Sequence, residues 1–380
     1  MRRTEHELLS ATLGTRKALT AFHFGVAGAR PKVYIQASLH AGELPGMLVA
    51  HHLRTLLEAA DAAGQIQGEV ILVPVANPIG LAQRLYHHPQ GRFELASAEN
   101  FNRNYPDLAA AVWPAVKDRL SADAAANVAL VREAVGAWLQ AWQPESELQS
   151  LRRQHLGLAH DADAVLDLHC DAEATLHLYT EEPCWPSLEP LARLLGCQAV
   201  LLARDSGGGS FDERLSGLWW RLRERMLEAG LPDALPQACD STTVELRGET
   251  DVTHTVAAQD AQAIMAFLAH RQVWRPGTPS PALPPLPCEA TPLSGSQTLR
   301  SPVPGLLVFL ARPGAKLAVG DVVAEVIDPS AERAARITPI RAEVAGVLYA
   351  TVRDRYVHAG GEIGKIAGAV PFRTGNLLGA

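Results

Sequence analysis

Short apolar runs alternate with longer amphipathic stretches along residues 1–274. The apolar runs are rich in Val, Ile and Leu, which is typical of buried strands, and the amphipathic stretches have helical spacing with few helix breakers. Such alternation predicts an α/β domain with a mixed, mostly parallel sheet flanked by helices. The predicted strands are 33–38, 69–75, 164–169, 175–179, 199–203 and 242–246, and the predicted helices are 44–60, 123–142, 188–195, 212–228 and 257–270, with a long helical insertion over 108–161.

A proline-dense segment then separates two different patterns. Residues 275–290 cannot continue a helix or complete a hydrogen-bonded ladder, so they predict a stiff linker between domains. Residues 291–380 contain short apolar runs punctuated by Gly, Pro and Asp, with a loose internal repeat, which predicts a small all-β domain. This part resembles the barrel-sandwich fold of biotinyl and lipoyl carrier domains. Its turn at 328–337 has no lysine flanked by methionines, which argues against a carrier role.

Composition narrows the class of protein. The chain has 380 residues, of which 47% are apolar and 20% charged, so a large core is expected. The net charge of −7 and the lack of a Lys/Arg block argue against a nucleic-acid partner. No signal peptide or membrane-spanning run is visible, and the five cysteines form no CxxC pair. These features predict a cytoplasmic protein with a small-molecule substrate, and leave a homo-oligomer open.

His40 and Glu43 are the first candidates for chemistry. They follow a predicted strand, and Pro45 marks the start of the next helix. In open α/β sheets, sites lie where strands end. A His-x-x-Glu pair on such a turn can converge on one metal ion, although the motif alone is also common as a surface pair.

His169 extends this set, because it ends another predicted strand. Asp167 lies two residues earlier and therefore on the same face of that strand. A carboxylate there can orient the histidine, or it can simply cap a neighbouring loop. Two histidines and one glutamate are a ligand set of hydrolytic zinc sites that leave a fourth position for water.

Glu245 interrupts the apolar strand 242–246. A buried carboxylate needs a partner, unless it faces solvent from an edge strand. Beside a zinc ion, Glu245 can accept the proton of the attacking water and pass it to the leaving amine.

An arginine- and asparagine-rich segment completes the candidates. Arg103 and Asn102 can hold a carboxylate of the substrate, because a guanidinium matches a carboxylate in bidentate fashion. Arg92 can polarise the scissile carbonyl, and Arg84 is its rival for that role.

Taken in order, these motifs resemble the succinylglutamate desuccinylase/aspartoacylase family of the zinc carboxypeptidase-like group. The resemblance covers about residues 32–270 and rests on H-x-x-E, N-R-x-Y-P, D-L-H and V-E-L. It implies a zinc-carboxypeptidase-like fold and one Zn²⁺ per chain. The residues it implies are His40, Glu43 and His169 as zinc ligands, Glu245 as general base and acid, Asn102 and Arg103 as the carboxylate clamp, and Arg92 at the carbonyl.

The chain departs from the family pattern at two places. It reads His40-Ala-Gly-Glu43 where the family often has H-G-D-E, and Asn100-Phe-Asn-Arg103 where the family often has D-L-N-R. Ligand and clamp atoms are kept, but the substrate cannot be carried over. We expect a zinc-dependent amidohydrolase that acts on a small N-acylated amino acid, at a C–N bond other than a peptide bond. The alternatives are a carboxypeptidase for short peptides and an inactive binding relative.

Overall fold

A computed structural model describes residues 1–277, 282–332 and 336–378. This part of the chain forms eight α-helices and twenty strands, most of them short. The helices are α1 Pro45–Ala62, α2 Pro78–Ala82, α3 Leu108–Val116, α4 Ala124–Ala141, α5 Glu147–Ala159, α6 Trp185–Leu195, α7 Phe211–Glu228 and α8 His254–His270. The strands are β1 Arg2–Glu7, β2 Ala18–Gly25, β3 Lys32–Ala37, β4 Glu69–Val73, β5 Arg84–Leu85, β6 His88–Pro89, β7 Ala164–Asp171, β8 Glu173–Ala174, β9 His177–Glu181, β10 Ala199–Ala203, β11 Asp240–Gly248, β12 Ala290–Pro292, β13 Ser296–Arg300, β14 Gly305–Phe309, β15 Lys316–Leu317, β16 Val322–Ile327, β17 Ile337–Arg341, β18 Gly346–Thr351, β19 Tyr356–Val357 and β20 Glu362–Gly368.

The main sheet has nine strands in the order β1-β2-β4-β3-β7-β11-β9-β10-β12. Its central strands β4, β3, β7 and β11 are parallel, and β9, β10 and β12 are parallel to one another. Only β1–β2, β2–β4 and β11–β9 pair in the antiparallel sense. Two apolar cores lie on the sheet, one beneath α3, α4, α5 and α7, the other beneath α1, α6 and α8. The expected mixed, mostly parallel sheet flanked by helices is thereby confirmed.

The predicted elements agree with the structure in the centre of the sheet and differ at its borders. The helical insertion consists of three helices, α3 to α5. The strand predicted at 175–179 lies at His177–Glu181, two residues later. Strands β1 and β2 were not predicted. For β1 the reason is its exposure to solvent. Its charged residues form a mostly exposed edge strand, which has no apolar run to reveal it.

The chain after residue 292 folds into two antiparallel sheets around one apolar core, as expected for an all-β domain. One sheet has the order β13-β20-β18-β15, and the other β17-β16-β14-β19. Strand β18 of this β-domain pairs with β8 of the main domain, and β12, which leads into the β-domain, pairs with β10. The resemblance to carrier domains and the boundaries at 274 and 290 stay predictions. Residues 278–281 of the proposed linker and residues 333–335 of the turn at 328–337 lie outside the described residues.

Two features bear on the surroundings of the protein. All five cysteines are free thiols, and four of them are buried. Within the described ranges, no helix combines the length and the apolar character that crossing a membrane requires.

Candidate metal centre and active site

His40 and Glu43 lie in the tight turn between β3 and α1, at the carboxyl end of the central strands. Gly91 packs against this turn so closely that a Cβ there would lie 2.2 Å from the nitrogen of Gly42. Its carbonyl accepts a hydrogen bond from the nitrogen of Ala41 at 2.9 Å. Only glycine fits this approach, which brings the following residue, Arg92, next to the turn.

Glu43 joins the two histidines that the sequence singles out. One carboxylate oxygen lies 2.9 Å from His40 Nδ1, and the other lies 2.7 Å from His169 Nδ1. All three side chains are buried, and one ligand atom of each lies within 4.8 Å of the others. The fold therefore brings together residues 126 positions apart in the chain at one point.

In each of these histidines Nδ1 is the inner nitrogen, which faces Glu43, and Nε2 is the outer nitrogen, which points away from it. Both outer nitrogens face oxygen acceptors. His40 Nε2 lies 2.8 Å from Asn100 Oδ1, and His169 Nε2 lies 3.0 Å from Asp167 Oδ2. A hydrogen on each Nε2 would leave the Nδ1 lone pair available to a cation at the common point. Gln36 Nε2 in turn donates to the other oxygen of Asp167 at 3.0 Å. Two oriented lone pairs and a carboxylate fit the donor set of a zinc site.

Without a cation, opposite charges hold this cluster together. Burial by itself would raise the pKa of Glu43, but His40 and His169 beside it hold that pKa well below its usual range. Burial likewise works against protonation of His169, yet Asp167 and Glu43 raise its pKa well above the usual value. Glu43 is therefore an anion in the folded protein, as a ligand must be.

Glu245 lies on β11 beside the cluster of His40, Glu43 and His169, which is called the metal cluster below because of its donor set. It is the register partner of His169 on the neighbouring strand β7. Its Oε2 is buried and has no hydrogen-bond partner among the described residues. Burial, with Asp171 and Glu43 nearby, raises the pKa of Glu245 well above its ordinary value. A carboxyl group with a raised pKa is suited to exchanging protons near neutral pH.

Arg103 of the candidate clamp and Arg92, the candidate at the carbonyl, line the same cavity. Arg92 approaches the cluster, with its NH1 3.4 Å from Glu43 Oε1. The Arg103 side chain runs over Gly208, where a Cβ would lie 2.8 Å from Arg103 Cδ. Arg84 lies instead in the exposed hairpin of β5 and β6, away from the lining of the cavity.

The Asn102 side chain is fixed by a hydrogen bond within the protein. Its Oδ1 accepts the nitrogen of Phe211 at the start of α7, at 2.8 Å. Its Nδ2 lies 3.5 Å from His169 Nε2, and the residue is almost fully buried. Asn102 therefore links the segment of Arg103 to α7.

The cavity above these residues measures about 350 Å³ and is built by both domains. The β-domain supplies Leu293, Glu362, Lys365 and Leu378 to its wall. Sequence reasoning did not find Asp171, Asp212, Glu213 or Lys365 as lining residues. Asp171 had a signal, since it shares a strand face with His169, whereas the other three depend on long-range packing. A cavity with two histidines, a glutamate and a second glutamate beside them is typical of metal-dependent hydrolases.

The comparisons with known proteins agree with that class. Residues 29–131 match the family model of the succinylglutamate desuccinylase/aspartoacylase catalytic domain. The matched segment contains His40, Glu43, Arg92, Asn102 and Arg103, while His169 and Glu245 lie beyond it. No curated protein sequence matches the chain.

Solved structures resemble the whole chain. A protein of Shewanella amazonensis, described as belonging to the succinylglutamate desuccinylase/aspartoacylase family, is 26% identical, covers 97% of this chain and 98% of its own, and has a TM-score of 0.83. A protein of Shewanella frigidimarina with a similar description is 25% identical, covers 97% of each chain, and has a TM-score of 0.83. The product-bound ectoine utilization protein EutE of Ruegeria pomeroyi, 15% identical with 96% and 95% coverage and a TM-score of 0.65, shares the fold alone. The comparisons support the family that the motifs indicate, and with it a deacylase class of enzyme.

Proposed function

We propose that this protein is a zinc-dependent hydrolase of the succinylglutamate desuccinylase/aspartoacylase family that cleaves the amide bond of a small N-acylated amino acid. The observation that carries the proposal is the convergence of His40, Glu43 and His169 on one point, with Glu245 on the adjacent strand. A zinc ion held there would acidify a water molecule and polarise the amide carbonyl.

The side chains of this chain divide the remaining work. Glu245 accepts a proton from the attacking water and returns it to the leaving amine, and its buried position keeps its pKa high enough for both steps. Arg92 stabilises the negative charge that develops on the carbonyl oxygen. Arg103 binds the carboxylate of the amino-acid part, with Asn102 fixing the segment from which it projects.

The size and wall of the cavity support a small substrate. A volume of about 350 Å³ is at the lower end for ligand pockets. The β-domain covers one side with Leu293, Lys365 and Leu378. A short-peptide carboxypeptidase would use the same chemistry, so a panel of N-acyl amino acids measured against dipeptides separates the two activities.

The decisive experiment joins metal analysis to Glu245→Gln. Purified protein is expected to hold about one tightly bound zinc per chain and to hydrolyse at least one N-acyl amino acid. Glu245→Gln should retain that zinc and lose about 10²- to 10⁴-fold in kcat, because only the proton transfer is removed. Hydrolysis by Glu245→Gln at the wild-type rate would disprove the mechanism, and a metal-free inactive protein would favour a binding relative.

A matched pair of variants tests the arginine at the carbonyl. Arg92→Met should lower kcat, because Arg92 lies beside the metal cluster. Arg84→Met serves as its control, since Arg84 lies in an exposed hairpin. Loss of kcat in Arg84→Met alone would reverse the assignment.

A further inference from the structure

A row of polar side chains crosses three neighbouring strands next to the metal centre. Glu245 on β11 is the register partner of His169 on β7 and of His177 on β9. Register partners in a sheet project to the same face. Asp171 lies two residues after His169 on β7, so it lies on that face too. Glu245 therefore lies between β7, which carries both His169 and Asp171, and His177 on β9.

A second group, Asp171, His177 and Glu245, has the spacing of a metal site. One ligand atom from each of Asp171, His177 and Glu245 lies within 4.8 Å of the others. His177 Nδ1 donates to the carbonyl oxygen of Thr175 at 2.8 Å, so its Nε2 carries the lone pair. That Nε2 lies 3.5 Å from Asp171 Oδ2. A backbone carbonyl on the outer nitrogen is a common arrangement for a metal-bound histidine.

The inner atoms of the group lack partners. His177 Nε2, Asp171 Oδ2 and Glu245 Oε2 are all buried, and none has a hydrogen-bond partner within the described part of the chain. His177 itself is fully buried. Leaving a buried polar atom unpaired destabilises the fold, and a charged atom does so more strongly. A cation between these three acceptors would satisfy them together.

We propose that Asp171, His177 and Glu245 form a second divalent-cation site, which takes Zn²⁺ or a similar transition-metal ion more weakly than the first centre. One imidazole and two carboxylates suit such ions. The weaker affinity has a structural cause. Lys365 Nζ lies 3.7 Å from Asp171 Oδ1, and a second positive charge nearby opposes a bound cation.

Occupation of this site has a functional consequence, which rests on the proposed function. Glu245 is the proposed proton acceptor, and a cation bound to its carboxylate competes with the proton. Zinc in excess of one equivalent therefore inhibits hydrolysis. The binding part of the proposal is independent of any activity.

The first test counts zinc ions by calorimetric titration of protein that already holds one equivalent. Wild type should bind a second, weaker equivalent, and His177→Gln should lose it while it keeps the first. His52→Gln is the matched control, because His52 Nε2 and His254 Nδ1 lie 3.0 Å apart on the surface and form the rival zinc pair. Asp171→Asn repeats the test at a second ligand should His177→Gln fail to fold.

The second test measures inhibition by excess zinc. The concentration that halves the rate should rise at least tenfold in His177→Gln relative to wild type, with His52→Gln unchanged. A single zinc equivalent in wild type overturns the proposal. So does a second equivalent that is lost in His52→Gln and kept in both His177→Gln and Asp171→Asn. Failure to find a hydrolysed substrate would count against the proposed function and leave the titration to decide the site.

Discussion

The two histidine clusters beside Glu245 differ in how their inner nitrogens are satisfied. His40 and His169 direct Nδ1 at Glu43, within 2.9 Å and 2.7 Å of its oxygens. His177 also has an oxygen acceptor on its outer nitrogen, but its inner Nε2 has no hydrogen-bond partner among the described residues. In the first cluster a carboxylate lies against each inner nitrogen, whereas in the second group the positive charge of Lys365 lies beside Asp171. An outer acceptor therefore orients a histidine in both groups, and the inner surroundings are what distinguish them.

The largest effect should come from removing a ligand of the first cluster. His40→Ala should abolish tight zinc binding and lower hydrolysis by about 10³-fold or more, because a catalytic metal supplies several kcal/mol of transition-state stabilisation. Metal analysis and kcat/KM measure the two effects. The weaker second zinc should survive in this variant, and its loss together with the first would show that the clusters are one site.

Another buried histidine shows what complete partnering without a metal does. His155 Nδ1 accepts from the Tyr105 hydroxyl at 2.8 Å, and its Nε2 donates to the Ala76 carbonyl at 2.7 Å. Burial lowers the pKa of His155 to about 4 from an ordinary 6.5. Its neutral form stabilises the fold fully above pH 6.5, and this stability falls as the pH drops toward 4. We expect a loss of about 3 kcal/mol in the free energy of unfolding across that window.

Denaturant unfolding at several pH values measures that loss. His155→Gln removes the titrating group, so its free energy of unfolding should depend less on pH between 6.5 and 4 than that of wild type. Equal slopes for the two proteins would show that other groups cause the acid sensitivity.

A substitution at Asp167 tests the role of the carboxylate that faces the outer nitrogen of His169. Asp167→Asn should weaken zinc binding about 10- to 100-fold, because the carboxylate that orients His169 is replaced by a neutral amide. Competition with a chelator gives the zinc affinity. The second zinc should bind as in wild type, and an equal loss at both sites would mean that Asp167 acts on the whole strand.

The smallest effect should come from the cation of the β-domain. Lys365→Met should raise the affinity for the second zinc about three- to tenfold, since it removes a positive charge beside Asp171 that repels the bound cation. Lys316→Met, an exposed lysine of the same domain, is the control. Unchanged or weaker affinity in Lys365→Met would show that Lys365 does not oppose the cation.

The sequence predicted the first cluster better than the second for a physical reason. His40 and His169 each end a buried central strand, and parallel strands bring such ends to one edge of the sheet. Strand β9, in contrast, runs antiparallel to β11, which periodicity does not reveal. His177 was therefore not among the predicted site residues, although Glu245 already indicated the face of β11 that carries chemistry.

The wall of the cavity was beyond sequence reasoning. The pattern correctly indicated an all-β region after the linker. It did not indicate that β20 faces the metal cluster, because a contact between Asp171 and Lys365 depends on how two domains pack. Edge strands β1 and β12 were missed for a related reason, since short or charged strands have no apolar run.

Strand β12 also bears on the order in which the protein can mature. It covers the edge of β10, and it is made after all the other strands of the main sheet. Until then the main sheet ends in an unpaired, apolar strand, the kind of edge through which chains associate wrongly. The cavity, too, has no completed wall until β20 has left the ribosome. Chains that end before β12 should therefore aggregate rather than remain folded and dissolved.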